Sequence, residues 1–210
     1  MYLVNNYAQI KDNLRLAYDL KVEEREGKST SGWKDALRRE FLTLLRAEQR
    51  NSLLEIGAGT GVHGQFFQEN GLEVTFTDLS PAMVAAMRAK GLDARVMDFN
   101  DLAFPAETFD AVFAMNCLLH VPHAAFGGVL ESVRRVLKPD GVFFLGQYGG
   151  HNEEAVYADD HYEPKRFFAF WNDEQIQAEA GKVFRVEAFQ VLEYGDEGET
   201  LHFQRVILRR

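Results

Sequence analysis

From Asn51 onward the chain alternates short runs rich in β-branched and aromatic residues with segments of helical period, and this alternation limits the fold more than any other feature. "SLLEI", "LEVTFT", "DARVMDF", "FDAVFAMN" and "VFFLGQY" read as strands. Val62 to Glu69, "SPAMVAAMRAK" and a segment from about Ala124 to Leu137 read as the intervening helices, the last followed by a "KPDG" turn. Strands separated by helix-length connections run parallel, with helices covering both faces of the sheet. Right-handed crossovers then bring the strand C-termini to one edge, and ligands bind outside that edge near the point where strand order reverses. The expectation is an α/β fold with a doubly wound, mostly parallel seven-stranded sheet. "VFRVEAFQVLEY" and "TLHFQRVILRR", flanking "GDEGE", add a C-terminal antiparallel hairpin. Residues 1–50, with Leu37, Phe41, Leu44 and Leu45 at helical spacing, form an N-terminal helical cap on the 51–210 core, the whole counting as one domain. Residues 148–171 have no clean period and read as a lid-like loop, after which Asn172 and Gln175 have the spacing of a capping box.

The first strand runs into "LLEIGAGTGVHG", where four glycines fall within eight positions. Glycine weakens an element interior, so this is a loop that brings bare backbone close to something. Two patterns fit it: Gly59, Gly61 and Gly64 satisfy G-x-G-x-x-G, and Gly57, Gly59 and Gly61 satisfy G-x-G-x-G after an acidic residue. Glu55 favours the second. A carboxylate at the end of a buried strand is a poor neighbour for a pyrophosphate and suits a cationic group, so a ligand carrying both ammonium and carboxylate fits best. On this reading Gly64 is incidental. A second glycine motif, "GKST" at Gly27 to Thr30, resembles the end of a phosphate-binding loop, but Val22 stands where that loop needs glycine and no strand precedes it.

A net charge of -9 argues against a nucleic-acid partner, and Arg134, Arg135 and Lys138 read as a solvated face or a helix cap. With Cys117 as the single cysteine, neither an intrachain disulfide nor a cysteine-based zinc site is available. No stretch has the pattern of a leader or the length of a membrane span, so a cytoplasmic location is expected. Seventeen phenylalanines fill a core or line an apolar cavity.

With these segments in order, the chain resembles the class I S-adenosylmethionine-dependent methyltransferases, a Rossmann-like family. "LLEIGAGTG", "VTFTDLSPAMV", "ARVMDFNDLAF", "FDAVFAMNCLLHV" and "LKPDGVFF" resemble its five motifs, covering about Ser52 to Gln147. The resemblance implies S-adenosylmethionine as cofactor. It implies that Gly57, Gly59 and Gly61, with Thr60, approach the methionyl and ribose portions and that Glu55 organises the amino-acid end; His63, opening the second half of the loop, either touches the cofactor carboxylate or lies on the helix surface. It implies that Asp78 accepts both ribose hydroxyls, Leu79 walls the adenine, Asp98 and the Phe99 amide contact its ring, and the backbone at Met115 and Asn116 lines the sulfonium. Asp140 stands where the family commonly has glycine, and Asp110 reads as structural.

Methyl transfer from a sulfonium needs an aligned nucleophile, and a general base only when the acceptor is protonated. His120 is the first candidate base, or else a structural histidine; Tyr148 and His151 follow, and His123 lies beyond Pro122. His120 and His123 do not make a metal pair, because Pro122 breaks the register and no carboxylate set completes a site. "NCLLH" lacks the Pro-Pro-aromatic pattern of methyltransferases acting on DNA nitrogens, which leaves oxygen or nitrogen of a small molecule as acceptor. Tyr18, Trp33, Tyr157, Tyr162, Phe167, Phe168 and Trp171 are candidates to close over it. A monomer or homodimer is expected. The competing readings are an NAD-dependent oxidoreductase and a non-catalytic S-adenosylmethionine-binding module.

Overall fold

The computed structural model describes residues 7–26, 31–193 and 201–210. "GKST" and "GDEGE" lie outside the described residues. The extension supplies helices α1 (Tyr7–Asp19), α2 (Val22–Glu26) and α3 (Gly32–Ala47). The core then runs β1 (Ser52–Ile56), α4 (Val62–Glu69), β2 (Glu73–Asp78), α5 (Pro81–Ala89), β3 (Ala94–Val96), β4 (Phe109–Met115), a 3-10 turn (Leu118–His120), α6 (His123–Val136) and β5 (Leu137–Gly149). It closes with β6 (Glu153–Val156), β7 (Phe167–Phe170), α7 (Asp173–Gly181), β8 (Arg185–Leu192) and β9 (His202–Arg209).

Seven strands form one sheet in the order β3-β2-β1-β4-β5-β9-β8, parallel through β5 and antiparallel at β9 and β8. The chain winds outward from β1 to β3 and then returns to the other side of β1 with β4. Strand order therefore reverses between β1 and β4, and a crevice opens at their C-terminal ends.

Each central strand is apolar on both faces, and the two-residue side-chain period divides it between two cores. Leu54, Ile56, Val112, Phe143 and Leu145 pack beneath α6 and α7, while Leu53, Ala111, Phe113, Val142 and Phe144 pack beneath α3, α4 and α5. Phe113 and Phe144 are register partners whose rings stack 4.6 Å apart, with Phe67 edge-on and Phe41 tilted against them. Most of the phenylalanine is thus structural. Fully burying each such ring contributes roughly 1.5–3 kcal/mol.

Local signals acted largely as read. Ser80 caps α5 by accepting from the Met83 amide, with Pro81 in its first turn. Asn172 caps α7 by accepting from the Gln175 amide, but the Gln175 side-chain oxygen has no partner, so the capping box is one-sided. Asp110 is structural: it accepts from the amides of Asn51 and Ser52, from the Ser52 hydroxyl and from Lys138. Arg135 donates to the carbonyls of Phe104 and Leu102, which binds the β3–β4 connection to α6.

Two expectations change. Residues 148–171 are not loop throughout: β6 and β7 pair antiparallel there around an irregular 157–166 connection, and Phe168 and Phe170 stack along one side of the short ribbon, with Tyr157 packed against them. "KPDG" is not a free turn but a bulge inside β5, where the β4 register jumps between Phe109 and Ala111 and Asp140 takes φ 61°.

The extension is tied to the strand ends. Asp19 in α1 accepts from the Ser80 hydroxyl at 2.5 Å and the Ala82 amide at 3.1 Å, and Lys11 pairs with Asp98 at 2.6 Å. α3 is clamped to the hairpin by Arg209, whose side chain reaches Glu48 at 2.6 Å and Glu187 at 2.7 Å. Among the described residues no helix is long and apolar enough to cross a membrane.

Candidate active site

The crevice is built from the loop that follows β1. Gly57 takes φ 59°, and a Cβ there would lie 2.4 Å from Cys117 Cβ, so the turn and the close approach of the β4 end both require glycine. Cys117 donates its Sγ–H to the Ile56 carbonyl, and burial raises its pKa, so it is a small packed thiol. Across the crevice Asp78 ends β2 and accepts from the amides of Gly59 at 2.7 Å and Ser80 at 2.9 Å. Burial raises the Asp78 pKa; those two amides and Arg25 oppose the rise by favouring the charged form.

Two cavities meet here. The first, about 70 Å³, is lined by Gly57, Gly59, Asp78, Leu79 and Ser80 from the loops after β1 and β2. Phe99, Met115 and Cys117 complete its floor, and Leu14 and Arg15 of α1 cover it. The second, about 580 Å³, is lined by Trp33 and Lys34 of α3, Thr60 and His63 around the start of α4, Tyr148, Arg166 and Phe168. Tyr18, Arg25, Asn116 and His120 line both and form the junction. Asn116 holds φ 54° with its amide on the Gly146 carbonyl at 2.7 Å, and its side-chain Oδ1 is buried there without a partner.

His120 is almost wholly buried. Its Nδ1 lies 2.7 Å from the Phe167 carbonyl, which can only accept, so Nδ1 carries the proton and Nε2 accepts from the Tyr18 hydroxyl at 2.8 Å. The Tyr18 oxygen in turn accepts from Arg166 at 3.2 Å, and Arg166 forms a two-pronged pair with Asp160 at 2.8 Å on each side. Burial chiefly lowers the His120 pKa to about 3. At neutral pH this imidazole is uncharged, with both nitrogens engaged.

Glu55 differs from the sequence reading. It is absent from the lining of both cavities: its carboxyl is buried under α4, where Oε2 accepts from the Gly64 amide at 2.8 Å. Burial pushes its pKa up to about 8. Gly64 is correspondingly not incidental, since a Cβ there would stand 2.2 Å from Phe76 Cε1 and 2.4 Å from the Glu55 oxygen. Unfolded Glu55 loses its proton near the ordinary value of 4.5 and folded Glu55 near 8, so its contribution to stability is complete at low pH and is lost as pH rises between them. At about 1.4 kcal/mol per pH unit, the unfolding free energy of wild type relative to Glu55→Gln should fall by on the order of 4 kcal/mol from pH 5 to pH 8. Urea unfolding of both proteins across that range measures it; a constant difference would mean that Glu55 is ionised in the fold.

The remaining candidates divide by position. Asp98 pairs with Lys11 and accepts the Asn100 amide, and it does not line the first cavity although Phe99 does. Gly61 starts α4 outside both cavities. His151 pairs with Glu153, His123 with the Phe170 carbonyl, and Tyr157 packs on Phe168 and Phe170; none of the three reaches a cavity. Tyr162 is buried behind Tyr18 and carries the Arg166 guanidinium 3.6 Å over its ring. Trp171 is buried in the core beside Phe126 and His123. The sequence reading missed Arg25, Lys34 and Arg166. Arg25 sits in "VEERE", which looks like a solvated helix face, and only the folding of α2 over Gly59 places its guanidinium at the loop.

Residues 53–141 match the family described as "Methyltransferase domain". The chain is 35% identical over 109 residues to the demethylmenaquinone methyltransferase of Tropheryma whipplei, covering 50% of this chain and 44% of that protein. It is 34% identical over 104 residues to the ubiquinone biosynthesis O-methyltransferase of Actinobacillus pleuropneumoniae, 44% of each. The chain thus spans about half the length of the curated relatives it matches. Among solved structures it is similar to 1,6-didemethyltoxoflavin-N1-methyltransferase of Burkholderia thailandensis, determined with 1,6-didemethyltoxoflavin and S-adenosylhomocysteine bound. That likeness has a TM-score of 0.75 at 21% identity and covers 100% of this chain and 92% of that one. The β3-β2-β1-β4-β5-β9-β8 sheet thus shares its Rossmann-like fold with that structure, and within it residues 53–141 are similar to a methyltransferase domain.

Proposed function

We propose that this chain is an S-adenosylmethionine-dependent methyltransferase acting on oxygen or nitrogen of a small-molecule acceptor. The observation that carries the reading is the Asp78 carboxylate, set at the end of β2 against the Gly59 amide in one cavity that opens at Asn116 into a second. The residues present fit the cofactor. Asp78 would accept the two ribose hydroxyls, Leu79 and Phe99 would enclose the adenine, and Gly57 and Gly59 would let backbone approach the methionyl chain. Arg25, which lines both cavities, would hold the cofactor carboxylate. Glu55 serves by fixing the loop through Gly64, and Asp98 by holding α1 across the adenine end through Lys11.

When bound, the cofactor supplies the methyl electrophile. The protein aligns the acceptor and excludes water. Asn116 Oδ1 and the Tyr18 hydroxyl orient the acceptor at the junction, and His120 holds Tyr18 in place. Helices α1 to α3 form one half of the cover and the β6–β7 ribbon the other, within a single domain. The acidic chain works on small molecules rather than nucleic acid or membranes, in the cytoplasm, as a monomer or homodimer. Isothermal titration tests the reading: the wild type should bind S-adenosylmethionine with micromolar affinity and should not bind NAD. No heat with S-adenosylmethionine would overturn it.

A further inference from the structure

The chain carries a net charge of -9, yet among the described residues no carboxylate lines the second cavity, whereas Arg25, Lys34 and Arg166 do. Arg166 is neutralised by Asp160. Lys34 is half-buried, with its ammonium over the rings of Trp33 at 5.1 Å and Tyr148 at 5.5 Å, and it has no carboxylate partner among the described residues. Burial first and Arg25 second lower the Lys34 pKa, as expected of a cation held without a counter-ion. Every other titratable group facing the cavity is neutral. Tyr18 of α1 and Tyr148 of β5 have raised pKa values and remain protonated. His63 of α4 is lowered to about 4, chiefly by burial, and His120 of the 3-10 turn to about 3. The cavity therefore offers positive charge and no free base: the one nitrogen of His120 able to accept a proton is taken by Tyr18.

From this we infer that the acceptor is an acid, such as a phenol or an enol, that binds and reacts as its anion with Lys34 as counter-charge. The inference rests on the methyltransferase reading. The acid loses its proton to solvent on binding, because a cation within about 4–6 Å lowers the pKa of an acid by roughly 1–3 units. A lone pair of the anion then forms the new bond to the methyl carbon as the carbon–sulfur bond breaks. That bond's electrons stay on sulfur, the positive charge on sulfur cancels the negative charge of the acceptor, and no proton transfer accompanies the step. A general base is needed only for an acceptor that arrives protonated, and this site removes the need.

Two phenols whose ionised forms are spectrally distinct, 4-nitrophenol and 7-hydroxycoumarin, serve as probes for the protein saturated with S-adenosylhomocysteine. In complex with the wild type, their apparent pKa should lie at least about 1 unit below the free value. Lys34→Met should return it toward the free value, Lys34→Arg should keep it low, and S-adenosylhomocysteine affinity by calorimetry should change less than about threefold in either variant. The inference is overturned if the phenols titrate unshifted in the wild-type complex, or if neither binds. It is equally overturned if Lys34→Met weakens S-adenosylhomocysteine tenfold or more while leaving the phenols alone, since Lys34 would then serve the cofactor carboxylate. Repeating the titration without S-adenosylhomocysteine separates the two ideas: no cofactor binding by the wild type sinks the methyltransferase reading, while the phenol shift still reports on the cavity's charge.

Discussion

Asp78→Ala is expected to weaken S-adenosylhomocysteine binding by at least about 100-fold. Each hydrogen bond from a ribose hydroxyl to a carboxylate contributes on the order of 1.5–3 kcal/mol, and two lost together amount to roughly two to four decades of affinity. The same carboxylate accepts from the Gly59 and Ser80 amides, so the substitution also loosens the loop in the free protein. That loss is partly offset, because burial disfavours the Asp78 charge and the variant no longer has to hold it. Thermal melts with and without S-adenosylhomocysteine separate the two effects. The free variant should melt near the wild type, while the ligand-induced rise, which follows the ratio of ligand concentration to Kd, should disappear. Wild-type affinity in Asp78→Ala would show that the ribose sits elsewhere.

Gly64→Ala has the largest expected effect on stability. The added methyl would meet Phe76 Cε1 at 2.2 Å and Glu55 Oε2 at 2.4 Å, and neither side chain can yield: Phe76 is fully buried and Glu55 is held by the Gly64 amide itself. Overpacking of this kind costs about 3 kcal/mol, which for a domain of this size lowers Tm by roughly 6–12 °C. Gly127→Ala is the control. Gly127 lies in α6 with nothing within 4 Å of an added Cβ, so there the helix gains about 0.5–1 kcal/mol. Equal melting temperatures for the two variants would mean that α4 does not press on β1 and β2 at Gly64.

Much of this architecture was legible because parallel sheets write themselves strongly into sequence. β1, β2, β4 and β5 are nearly continuous apolar runs separated by helices with readable caps, and their order placed the Gly57–Gly61 loop and Asp78 at one edge. What failed is instructive. Glu55 was given a ligand on charge alone, but a carboxyl at the end of a buried strand can be satisfied by an amide of the next helix, and the sequence does not say which. Residues 148–171 lack a clean period because β6 and β7 are four residues each, too short for alternation to register. Lys34 and Arg25 were invisible for a different reason. A cation on a short or half-exposed helix looks solvated until the fold lays that helix across a cavity, as α2 and α3 do here. His120 lines both cavities, but its hydrogen bonds to Tyr18 and the Phe167 carbonyl, 102 and 47 positions away, engage both ring nitrogens, which the sequence does not show.

A crystal structure of the protein grown with S-adenosylhomocysteine tests the central claim most directly. The ribose hydroxyls should lie on Asp78, the adenine between Leu79 and Phe99, and the sulfur at Asn116 facing the cavity that holds Lys34. S-adenosylhomocysteine bound outside the Asp78 cavity, or with its sulfur turned away from Asn116, would contradict it.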